Sequence, residues 1–67
     1  MDIKKQIGSQ IKQLRVKRGL SQAELGEKIN ASKQYIYAVE VGTKTCSIER
    51  LSEIAEALDA KLTVRIS

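Results

Sequence analysis

The chain has 67 residues, with twelve Lys and Arg, eight Asp and Glu, no His, a net charge of +4 and 42% apolar residues. Such a length holds one small domain that buries about 60% of its extended surface, so the core is marginal and a second subunit is the expected supplement. One cysteine, Cys46, excludes an internal disulfide, and with no His it also excludes a structural zinc site and a His-based catalytic triad.

Ile3, Ile7, Ile11 and Leu14 recur at spacings of four, four and three, which predicts a helix that begins near Asp2 and is closed by Gly19. Ser21 followed three residues later by Glu24 makes a capping box, with Leu20 and Leu25 as a hydrophobic staple. A second helix therefore begins at Gln22. It turns Leu25 and Ile29 inward and ends at Asn30, a residue that tolerates the left-handed conformation. Ser32 caps a third helix from Lys33 to Val41, which buries Ile36 and Val39 and stops at Gly42. Thr43 to Cys46 form a loop. Ser47 opens a fourth helix with Ile48, Leu51, Ile54, Ala55 and Leu58 on one face and Glu49, Glu53 and Glu56 on the other. After Ala60 the period changes: Leu62, Val64 and Ile66 alternate with Lys61, Thr63 and Arg65, the pattern of a strand with one buried face.

Charge is unevenly placed. Lys4, Lys5, Lys12, Arg15, Lys17 and Arg18 face only Asp2 in the first eighteen residues, whereas residues 46–58 set Arg50 against three Glu. A basic end points to a polyanionic partner, although a solvated Lys-rich face has the same composition. No stretch approaches the ~20 apolar residues of a membrane span and no apolar secretory core follows the charged start, so a cytoplasmic location without a membrane partner is expected. Neither an enzymatic reaction nor a cofactor is expected, because no group of acids has metal-ligand spacing and no His is present.

Two short helices joined across Asn30, Ala31 and Ser32 match a helix-turn-helix. Gly26 suits the steep crossing, where a missing side chain lets backbones approach; in a free surface helix it would only cost about 1 kcal/mol. From Ile7 to Leu58 the chain resembles the phage-repressor-like (Cro/C1, or XRE) helix-turn-helix family. The matching residues are Ile11-Lys12-Gln13-Leu14-Arg15, Gly19-Leu20-Ser21-Gln22-Ala23-Glu24-Leu25, Ser32, Tyr35-Ile36, Glu40, Gly42, Ser47-Ile48-Glu49-Arg50-Leu51 and Ile54-Ala55-Glu56-Ala57-Leu58.

The resemblance implies an all-α, lambda-repressor-like bundle of four helices, with residues 1–58 as the DNA-binding domain. It further implies sequence-specific binding of double-stranded DNA by a homodimer, most simply a repressor on an inverted repeat. The third helix enters the major groove and the start of the second meets the backbone. Gln22 matches the phosphate-contacting position, where its amide and the free N–H groups of a first helical turn both favour an anion. Ser32, Lys33 and Gln34 match the start of the base-reading helix; Gln pairs bidentately with adenine and Lys donates to guanine acceptors. Tyr37 and Ala38 lie one turn on, where Ala38 suits a thymine methyl. Tyr35 either leans its hydroxyl on a phosphate or simply packs. Thr43, Lys44 and Thr45 supply donors that position a protein on phosphates without reading sequence. Arg15 and Glu40 match a family pair that bridges the first and third helices, and in the family the Arg also faces a phosphate. Asn30 stands where the family usually has Gly, and Cys46 where it often has Pro. Cys46 reads as a small apolar residue, with a redox role depending on its exposure and pKa.

The segment 59–67 is expected to dimerise the protein. A lone strand needs a partner for its ladder, and the simplest donor is the same strand of a second subunit about a two-fold axis, with Leu62, Val64 and Ile66 as the interface. A frayed tail is the alternative. A short strand directly after the fourth helix also resembles antitoxins of the HipB type, which repress their own operon while holding a kinase toxin. That likeness implies a toxin protein as a further partner.

Overall fold

The computed structural model describes residues 2–60, which form four helices: α1 (Ile3–Lys17), α2 (Gln22–Lys28), α3 (Lys33–Val41) and α4 (Ile48–Ala57). Each begins on a side chain that takes up a free backbone N–H. Asp2 accepts from Lys4 at 3.0 Å, Ser21 from Glu24 at 3.0 Å, Ser32 from Tyr35 at 3.0 Å and Ser47 from Arg50 at 3.2 Å. A cap of this kind contributes about 1 kcal/mol. That matters most for α2, whose seven residues are too few to stay helical alone. Its capping box closes with the Ser21 N–H donating to Glu24 Oε1 at 2.8 Å. The helix starts expected at Gln22 and Lys33 are those observed, and the chain leaves the two helices through left-handed Asn30 (φ 58) and Gly42 (φ 85).

Ile11 of α1, Leu25 and Ile29 at α2, Ile36 and Val39 of α3, and Ile54 and Leu58 at α4 form the buried core. The helix α3 packs against both α1 and α2, and α4 against α2. Arg18 fastens the end of α4 to α1, its Nε donating to the Leu58 carbonyl at 2.8 Å and its Nη2 to that of Asp59 at 2.9 Å. A cation is well placed there, at the negative end of a helix.

Two expectations need correction. Ile48, expected on the inner face of α4, is 81% exposed. A spacing of three residues falls about 60° short of a full turn, so two such steps rotate Ile48 away from Ile54, which keeps the core position. Gly26 makes room for the turn rather than for the α3 axis: a Cβ on it would lie 2.6 Å from the Ala31 carbonyl oxygen. The Ala31 N–H donates to the Gly26 carbonyl at 2.8 Å, drawing the turn backbone over this residue. The close approach of helices occurs elsewhere, at buried Gly8, whose Cβ would strike the carbonyl oxygens of Val39 and Glu40.

The described residues make an all-helical four-helix bundle. The expected strand, with Leu62, Val64 and Ile66, lies outside the described residues. Among those described, no helix is long and apolar enough to cross a membrane, and no group of three or more His, Cys, Asp or Glu is placed to hold a metal ion.

Candidate nucleic-acid interface

The Ser32 cap sets Lys33 and Gln34 as the first two residues of α3, and both are exposed. Helical spacing brings Tyr37 and Val41 onto the same stripe, and these too are exposed, Tyr37 by 56%. The opposite side of α3 carries buried Ile36 and Val39. Packing thus fixes the rotation of α3 and leaves an amide, an ammonium and a phenol facing outward. Ala38 is half-buried, and its carbonyl anchors the next segment, accepting from the Thr43 N–H at 3.0 Å, the Lys44 N–H at 3.3 Å and the Thr43 hydroxyl at 3.2 Å. Thr43, Lys44 and Thr45 are all exposed.

At the other end of α3, Glu40 is 7% exposed and gathers three donors. Arg15 reaches its two carboxylate oxygens through Nε at 2.7 Å and Nη2 at 3.2 Å, and the Gln22 amide donates to Oε1 at 3.2 Å. Arg15 Nη1 donates to the Leu20 carbonyl at 2.7 Å. Each nitrogen of the guanidinium therefore has an internal acceptor. The bidentate geometry fixes α1 against α3, and Gln22, the first residue of α2, is steered by the same carboxylate.

Tyr35 is half-buried, with Lys44 Nζ 5.3 Å and the Arg50 guanidinium carbon 5.5 Å from its ring centroid. Burial pushes its hydroxyl above the ordinary tyrosine value; the neighbouring Cys46 thiol adds to the shift and the Arg50 charge opposes it. Burial also pushes the Cys46 thiol up, against the smaller opposing effects of its own backbone and the Tyr35 hydroxyl. A thiol raised in this way ionises less readily than a free one and is a weaker nucleophile for it. Cys46 packs beside the core with Ile7 and Leu51.

Arg50 escaped sequence reasoning. Its Nη1 donates to the Ile29 carbonyl at 2.5 Å and to Glu53 Oε1 at 3.1 Å. The Glu53 contact, three residues along a helix, was visible as spacing; the Ile29 contact depends on how α4 crosses the end of α2.

A family model described as Helix-turn-helix, HTH_3, matches residues 11–64. An uncharacterized HTH-type transcriptional regulator, y4dJ of Sinorhizobium fredii, is 36% identical over 58 residues, which are 87% of this chain and 75% of that protein. The clp gene regulator ClgR from C. glutamicum superposes with a TM-score of 0.84 at 29% identity, over 88% of this chain and 77% of that one. The restriction-modification controller protein C.Esp1396I, seen as a tetramer in complex with its natural 35 base-pair operator, shares the fold with a TM-score of 0.82 at 24% identity, over 91% of this chain and 80% of that one. The chain belongs to the HTH_3 helix-turn-helix family and has the fold of its transcriptional regulators.

Proposed function

We propose that this protein is a sequence-specific, double-stranded-DNA-binding transcriptional regulator, a repressor that binds an inverted repeat as a homodimer. The observation that carries the reading is the outward presentation of Lys33 and Gln34 at the capped start of a helix whose other side is core. Their donors and acceptor suit purine edges in a major groove. Gln22 at the start of α2 and Lys44 with its neighbouring threonines supply backbone contacts around that helix. Arg15 serves this surface by holding Glu40 and, through it, Gln22. C.Esp1396I, which shares the fold, binds its own operator as a tetramer, and that supports DNA as the ligand of this fold.

Selection of bound duplexes from a random pool tests the proposal. Recovery of an inverted repeat, bound with an affinity that falls steeply as salt rises, supports both the reading and the two-fold symmetry. Recovery of no common sequence, or binding indifferent to salt, rejects it. Deleting residues 61–67 is expected to give monomers, and a deletion that leaves the dimer intact rejects the strand-paired assembly.

A further inference from the structure

The surroundings of Tyr35 contain more than a packed aromatic. Two cations lie within cation–π range of one ring, yet they are held very differently. Arg50 is locked: one nitrogen serves both the Ile29 carbonyl, at the exit of α2, and the Glu53 carboxylate on its own helix. Lys44 hangs from the Ala38 carbonyl by its backbone N–H, and its ammonium rests against the Tyr35 ring. A lysine side chain with four rotatable carbons loses much freedom when it grips a phosphate. A ring that already restrains its ammonium removes part of that loss, provided the ring itself stays put.

We propose that Arg50 is a positioning residue for Lys44: by clamping the Tyr35 ring against the exit of α2 it presets Lys44 for the nucleic-acid backbone without making that contact itself. The inference rests on the DNA-reading function above. Glu53 neutralises the charge of Arg50, so that two like charges can share one ring, and the Ile29 bond fixes where the guanidinium lies. Arg50 thus links three elements, the α2 exit, the start of α3 and the loop before α4, at the point where a mobile ammonium must be placed.

The test uses the full chain in two measurements. In the free protein, nuclear magnetic resonance should find the Lys44 side-chain methylene protons shifted upfield by the Tyr35 ring current, and Arg50→Ala should return them to ordinary lysine positions. Arg50→Lys, which keeps the charge but not the planar group and its paired bonds, should do so in part. Lys44 resonances in Arg50→Ala that coincide with the parent's overturn the proposal. On a selected duplex, Arg50→Ala should weaken binding roughly two- to tenfold, and the Arg50→Ala/Lys44→Ala pair no further than Lys44→Ala alone. Losses that multiply place Arg50 on an independent contact and also overturn it. Glu53→Gln, which weakens only one of the two anchors of Arg50, should give the same pattern in smaller measure and serves if Arg50→Ala does not fold. A parent chain that binds no selected duplex refutes the DNA-reading function, while the Lys44 resonances still decide the clamp.

Discussion

The side-chain amide of Gln22 donates to Oε1 of Glu40 across 3.2 Å, so the residue that opens α2 is oriented by a carboxylate buried near the end of α3. Arg15 holds the same carboxylate through two nitrogens. One acid therefore joins α1, α2 and α3, and the surface position of Gln22 depends on an interior ion pair.

Removing Glu40 alone strands a guanidinium that is only 11% exposed. Glu40→Leu is expected to lower the unfolding free energy by about 3 kcal/mol, the range for breaking one side of a buried pair, and Arg15→Met/Glu40→Leu to lower it by less, because no unmatched charge remains. Urea denaturation of the parent, single and double variants measures both. A double variant less stable than the single one contradicts the account.

The exposed donors should separate by what they read. Gln34→Ala is expected to relax preference at one base pair by ~1–3 kcal/mol while leaving other positions unchanged. Lys44→Ala should weaken every duplex alike and lower the salt slope by about one. Binding to a panel of single-substitution duplexes at several salt concentrations distinguishes them. Equal and uniform losses for both variants would remove Gln34 from the base-reading set.

The helix boundaries were legible because capping is local: Ser21 and Glu24, or Ser32 and the Tyr35 N–H, interact over three residues. The pairing of Arg15 with Glu40 came only with the family resemblance, since 25 residues separate them. What joins distant segments was not legible. Gln22 with Glu40, Arg50 with Ile29 and Arg18 with Leu58 span 18, 21 and 40 residues, and their meeting depends on crossing angles that periodicity does not encode. Ile48 misled for a related reason. A three-residue repeat resembles a stripe, but the stripe drifts around the helix until its first member faces water.

Gly8 gives a sharp case where local propensity and packing disagree. In a free helix, Gly→Ala stabilises by about 1 kcal/mol. Here the added Cβ would strike the carbonyl oxygens of Val39 and Glu40, which are backbone and cannot swing aside. Gly8→Ala is therefore expected to destabilise by about 1–3 kcal/mol, as overpacking does. It should also loosen Glu40 and so weaken duplex binding. Thermal denaturation beside exposed Ser9→Ala, a control on the same helix, checks the sign; a gain in stability at Gly8 would mean that α1 and α3 stand further apart than described.

The capping box predicts a pH dependence. Hydrogen bonds from the Ser21 backbone and then its side chain hold the Glu24 carboxyl below its ordinary value, opposed by desolvation and helped, least of all, by the Lys28 charge. The folded chain thus binds this proton less readily than the unfolded one. The carboxylate's contribution is complete above the unfolded pKa of about 4.3 and is lost as pH falls through the lower folded value. Other carboxylates titrate in the same range, so the informative quantity is the difference between the parent chain and Glu24→Gln, whose side chain cannot ionise. Urea midpoints at stepped pH should show the parent ahead near neutrality and the gap closing in acid. Ser21→Ala, which loses the hydroxyl but keeps the backbone N–H that is the larger cause, should narrow the gap near neutrality only in part. A gap that persists unchanged well below the carboxylate range would show that the charge on Glu24 is not what stabilises the start of α2.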